Sequence, residues 1–138
     1  MFITLLPPYL VSNMREAEIE PAVLDSVATR LEELRKTKHG KTVPFSELQR
    51  LASQLGAQYQ ATGKKRGKGS QERFFHPAVK QFKSDVWQHG LFGVHLASTG
   101  RPEVRAHDMK KFFLPALEFL VEYHRYVLRK RIEGKKNR

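Results

Sequence analysis

The eleven residues Gly63 to Arg73, GKKRGKGSQER, set Lys64, Lys65, Arg66 and Lys68 among three glycines and close on Arg73. Cations alternating with residues that carry little side-chain bulk let a backbone follow an uneven polyanion while each charge finds its own phosphate. The run is therefore expected to be a basic arm rather than a helix. At ~3.3 Å per residue, its tip would project ~15 Å from its base. Lys80 and Lys83 follow, three apart after Pro77, where a short helix would place them on one face. Near the other end, Arg125, Arg129, Lys130 and Arg131 form a second basic cluster. Together these side chains have the chemistry of a phosphate-binding surface, and such contacts position a nucleic acid without reading its sequence.

Reading bases requires aromatic or forked groups, and Phe74, Phe75 and Trp87 are the candidates for stacking on unpaired bases. Their ordinary role is packing, so Phe74 and Phe75 are expected to anchor the arm to the core and Trp87 to sit at the core edge. The histidines are the material for an enzyme. Arg101 and His107 stand in RPEVRAH, with Pro102 directly after the arginine. This spacing resembles helical ribonuclease domains of the HEPN type, all-α bundles of about this size in which Arg and His serve RNA cleavage. Pro102 replaces the polar residue that commonly follows the family's arginine. The resemblance implies Arg101 and His107 as cleavage residues. His89, His95 and His107 lack the i, i+4 spacing with an acidic neighbour that a metal site needs, so no metal or other cofactor is expected. His124 falls in an apolar stripe and reads as a satisfied core histidine.

The 138 residues are enough for one domain with an apolar core, and the absence of cysteine excludes disulfides, thiolate metal sites and a cysteine nucleophile. The formal charge is +11, and its distribution says more than its total. Residues 1 to 62 hold seven Lys/Arg and seven Asp/Glu, whereas residues 63 to 138 hold eighteen and seven. The expectation is a basic face built by the second half, with the neutral N-terminal half as scaffold or as a docking surface for a protein partner. Residues 1 to 12 are apolar, but they lack a positive leader and a cleavage pattern and fall short of the ~20 residues that span a bilayer. They read as an extended segment, and the protein as intracellular, cytoplasmic or nucleoid-associated, without a membrane span.

The elements that would position these groups are helices. Val23, Leu24, Val27, Leu31 and Leu34 repeat at helical spacing from Pro21 and predict an amphipathic helix ending before Gly40. Leu48, Leu51, Ala52, Leu55 and Tyr59 predict a second helix from Pro44 to near Gly63. Ala52 and Gly56 have the spacing of a helix-turn-helix unit, but no apolar recognition helix follows. After the arm, Pro77 begins a short helix with Val79, Phe82, Val86 and Trp87 inward, stopped at Gly90. Residues 91 to 104 read as loop, with a short strand at Val94 to Leu96. Asp108 is expected to cap a helix through Leu114. Pro115 then begins or kinks the last helix, which carries Leu117, Leu120, Val121, His124, Leu128 and Ile132 inward to about Glu133 and leaves residues 134 to 138 as a basic tail.

The predicted fold is thus all-α, a single-domain bundle of four or five helices with a long basic loop between the second and third main helices. The expected function is non-enzymatic binding of DNA or RNA through the arm and the basic half, as an accessory subunit of a nucleoprotein complex. The HEPN-like ribonuclease and a protein–protein adaptor with a solvated basic face are the alternatives.

Overall fold

A computed structural model describes residues 19–60, 71–79, 90–97 and 101–136. Helix α1 spans Pro21–Arg35 and buries Leu24, Val27, Leu31 and Leu34, with Pro21 at its first position where a missing N–H costs nothing. Strand β1 (Thr42–Pro44) leads directly into α2 (Phe45–Gln54), which buries Phe45, Leu48, Leu51 and Ala52. Strands β2 (Gln58–Gln60), β3 (Gln71–Phe75) and β4 (Leu91–His95) form an antiparallel sheet in that order. Strand β5 (Glu103–Arg105) returns to pair antiparallel with β1, Val43 opposite Val104. A long helix, α3, follows without a break. It opens as Ala106–Asp108, passes through a π-helical segment Met109–Phe113, and continues as Leu114–Lys136.

Three helices and two antiparallel sheets correct the all-α expectation. The predicted second helix fails at Gly56, whose φ of +85° is left-handed and ends the helical path. Tyr59 therefore lies on β2, although it continues the helical spacing of Leu48, Leu51 and Leu55. The expected arm loses Gln71, Glu72 and Arg73 to β3, while residues 61–70, with the rest of the arm, lie outside the described residues. The strand at Leu91–His95 begins three residues before the expected short strand at Val94 to Leu96 and takes residues 91 to 93 from the expected loop. Phe82, Val86 and Trp87 of the expected third helix, and the N-terminal segment 1 to 12, also lie outside the described residues.

Helix α3 departs from its expected start for a backbone reason. Asp108 makes no side-chain cap bond, and the helix begins earlier, at Ala106. The amide of Leu114 donates to the Met109 carbonyl five residues back, and Pro115 has no N–H to donate in the next position of that register. Arg35 supplies a substitute donor, its Nη1 lying 3.3 Å from the Lys110 carbonyl oxygen. The same guanidinium grips Glu118 with two hydrogen bonds and so ties α1 to α3. At the far end, the helix runs past Gly134 to Lys136, and Ile132 is exposed rather than buried.

The core lies between the inward face of the three-stranded sheet and the helices. Tyr59, Phe74 and Phe92 stand opposite one another across β2, β3 and β4, and Phe45 and Phe113 close on Phe74 from α2 and from the π segment. Their ring centroids lie 5.4 to 6.0 Å from that of Phe74. Strand β4 reaches β3 closely only because Gly93 has no side chain. A Cβ there would sit 2.1 Å from the Glu72 carbonyl oxygen. Gly93→Ala must therefore force β3 and β4 apart, and it is expected to cost roughly 2–3 kcal/mol, the scale of an overpacked core, seen as a lower urea midpoint.

Candidate nucleic-acid interface

Alternation along the strands gives the three-stranded sheet two unlike faces. Phe74, Phe92, Val94 and Glu72 are buried, while Gln58, Gln60, Gln71, Arg73 and His95 are exposed on the other side. In register, Gln60, Arg73 and Gly93 form one row of that open face, and Gln71 faces His95 in the next. Arg73 Nη2 lies 3.4 Å from Gln71 Oε1, so the guanidinium rests along its own strand. Gln58, Phe75 and Leu91 form the third row, with Phe75 and Leu91 half-buried. A Cβ on Gly90 would meet the Phe75 ring at 3.1 Å, so that ring is seated over the Gly90 backbone.

The open face is polar at one end and partly apolar at the other. Gln60, Gln71, Arg73 and His95 mark the polar end, where β2 ends and β3 begins, and the sequence between those two strands contains Lys64, Lys65, Arg66 and Lys68, outside the described residues. Forked arginine and glutamine donors are the groups that recognise phosphates and base edges, and histidine adds a ring for stacking. Glu72 alone breaks the polar-out pattern. Its carboxylate is buried and accepts a hydrogen bond from the Tyr59 hydroxyl.

The remaining expected site residues have different fates. Phe74 is core, as anticipated, and His124 is a buried histidine whose Nε2 donates to the Leu55 carbonyl oxygen at 2.8 Å. Arg125 is held by Asp25 at 2.9 Å and Glu122 at 3.5 Å. Arg129 lies beside it on the wall of a groove of about 440 Å³ between α1 and α3. The Lys130 ammonium stands 5.6 Å from the Tyr126 ring centre, and Arg131 lies on the same helix. Lys80 and Lys83 lie outside the described residues. Arg101 and His107 flank β5, one before it and one after, and the two sheets remove the all-helical scaffold that the HEPN resemblance requires. The His107 ring meets that of His39 edge to face, the centroids 6.2 Å apart.

Among the described residues no group of three or more His, Asp or Glu is placed to hold a metal ion, and no helix is long and apolar enough to cross a membrane. No family model, curated protein or solved structure matches the chain.

Several arginines are occupied in holding the scaffold that carries this face. Arg30 binds Glu47 through Nε at 2.6 Å and Nη2 at 2.7 Å, joining α1 to α2. That hydrogen bonding, more than the charge itself, holds the Glu47 carboxyl below its ordinary value of 4.5. Because its folded-state pKa is depressed, the pair stabilises the protein fully above pH 4.5 and loses that contribution as pH falls through the lowered value. Wild-type protein should thus lose urea resistance below pH 4.5 more steeply than Glu47→Gln, and equal slopes would remove the pair from the acid response.

Proposed function

We propose that the protein is a non-enzymatic nucleic-acid-binding protein that lays DNA or RNA across the open face of the three-stranded sheet, with the cations of residues 61–70 as phosphate partners. The observation that carries this reading is the convergence at one sheet edge. The connection with four cations leaves from Gln60 and re-enters at Gln71, beside exposed Arg73 and His95. Phosphate contacts from the connection supply affinity, and the glutamines and Arg73 lie where a base edge or sugar would rest. Half-buried Phe75 offers part of a ring at the far end of the same face. The formal charge of +11 favours encounter with any polyanion, and the folded face limits which groups meet it.

Replacing Lys64, Lys65, Arg66 and Lys68 together by Gln should lower the slope of log K against log salt by about 3 to 4 for duplex DNA, at ~0.9 per lost phosphate contact, and by somewhat less for a single strand. Arg73→Gln should weaken binding further without unfolding the protein, since its side chain is exposed. An unchanged slope in the four-residue variant, measured by fluorescence anisotropy from 50 to 200 mM salt, would refute the reading.

A further inference from the structure

The N-terminal half has no net charge, but its charges are not spread evenly over the fold. Its acids Asp25, Glu33 and Glu47 are bound by Arg125 and Arg30. Its lysines gather on the α1–β1 loop, where Lys36, Lys38 and Lys41 are all exposed. Chain pairing then brings a second basic segment against that loop. The Lys41 carbonyl accepts the Ala106 amide at 2.9 Å, Thr42 stands opposite Arg105, and the Lys110 ammonium donates to the Thr37 carbonyl. Arg105 and Lys111 are exposed on this joined surface. His107 and Lys111, four apart at the start of α3, share a helix face, and exposed His39 meets His107 edge to face.

We infer that this surface, built by Lys36, Lys38, Lys41, Arg105 and Lys111 with the His39–His107 pair, is a second binding site for the sugar–phosphate backbone of a nucleic acid. Three observations favour that ligand. Among the described residues none of those five cations is in an ion pair. Of the acids nearest in sequence, Glu103 and Asp108 are half-exposed, Glu103 accepts a hydrogen bond from Thr42 Oγ1 at 3.2 Å, and Glu33 pairs with Arg30, which leaves exposed Glu32 one turn before Lys36 against five cations. The surface also lacks an apolar anchor, because the one exposed large apolar side chain among the described residues is Ile132, near the other end of α3. Protein interfaces centre on aromatic and apolar anchors and are depleted in lysine, whereas a phosphate backbone is met by lysine and arginine without an apolar anchor. The Lys38–Lys41 turn closes with a hydrogen bond of 3.1 Å and Gly40 at φ +88°, and no atom lies within 4 Å of a Cβ placed there. The turn is therefore open at Gly40.

This site is distinct from the sheet face and stands or falls without it. The chain has no cysteine, so one introduced thiol carries one photocrosslinker. Full-length Lys38→Cys is compared with Ala22→Cys, exposed at the other end of α1 about 21 Å from Lys36 at 1.5 Å per residue. Labelled duplex DNA and single-stranded RNA are tested in separate arms. The expected result is crosslinking from position 38 and none from position 22. In addition, replacing the five cations by Gln should lower the duplex salt slope by about 4 to 5 while Lys64, Lys65, Arg66 and Lys68 remain native. The inference is overturned if position 38 gives no crosslink to either nucleic acid, or if the five-residue variant keeps the wild-type slope. It is also overturned if polyglutamate of equal charge displaces both nucleic acids from position 38 as well as unlabelled nucleic acid does, which would assign the surface to an acidic protein.

Discussion

The burial of Phe74 is the constraint on which the rest of the structure depends. Its ring meets Tyr59 and Phe92 across the sheet, Phe45 from α2 and Phe113 from the π segment, so one side chain fixes the relation of five elements. A buried aromatic of this kind is worth about 3–5 kcal/mol on truncation to alanine. Because side chains alternate along a strand, holding Phe74 inward holds Arg73 and Phe75 outward, and a slip of one residue would exchange core and surface. The exposed face is therefore a consequence of the core rather than an independent feature.

The π segment serves the same end from the other side. Placing Phe113 against Phe74 and Phe92 while the chain enters a helix with proline at position 115 requires a wider turn, and the Leu114-to-Met109 hydrogen bond provides it. Arg35 satisfies the Lys110 carbonyl, and the Lys110 ammonium in turn reaches the Thr37 carbonyl. A local adjustment to proline thus locks the start of α3 onto the α1–β1 loop. That lock brings Lys38 and Lys41 beside Arg105 and Lys111, which lie more than sixty residues further along the chain.

What was legible in the sequence follows from these constraints. Helix α1 and the body of α3 could be read because Leu24, Val27, Leu31, Leu117, Leu120 and Val121 keep a helical period over several turns, and His124 was correctly placed in the core. Apart from Val94 and His95, where the expected short strand overlaps β4, the strands were hidden by short length and by single residues that run against pattern. Tyr59 extends the helical spacing of α2 across Gly56. Buried Glu72 makes QERFF look like the end of a charged run, and β1 and β5 are three residues each. Of the residues the sequence singled out for nucleic-acid contact, Arg73 and Phe75 lie on the open face of the sheet. Gln58, Gln60, Gln71 and His95 carry no charge pattern, and only the strand register collects them. Summing charge over each half of the chain concealed the loop lysines, because acids bound elsewhere in the fold cancelled them.

Among the described residues, the division of labour between the two kinds of cation also has a physical basis. Arg30, Arg35, Arg50 and Arg125 are all within salt-bridge distance of carboxylates, two of them with paired hydrogen bonds. The planar guanidinium suits a fixed carboxylate, because its fork is already arranged for two parallel bonds. Lys36, Lys38, Lys41 and Lys111 stand exposed. A lysine at an exposed position loses more freedom for each hydrogen bond it makes, and it gains most from a ligand offering many equivalent phosphates, where a small shift of one partner breaks no unique geometry. Net charge alone would make the protein a generic cation. The internal ion pairs leave the net charge unchanged, but they occupy Arg30, Arg35, Arg50 and Arg125, so that exposed cations outside those pairs include Lys36, Lys38 and Lys41 on a turn and Arg105 at a strand end, where an extended anion can reach them.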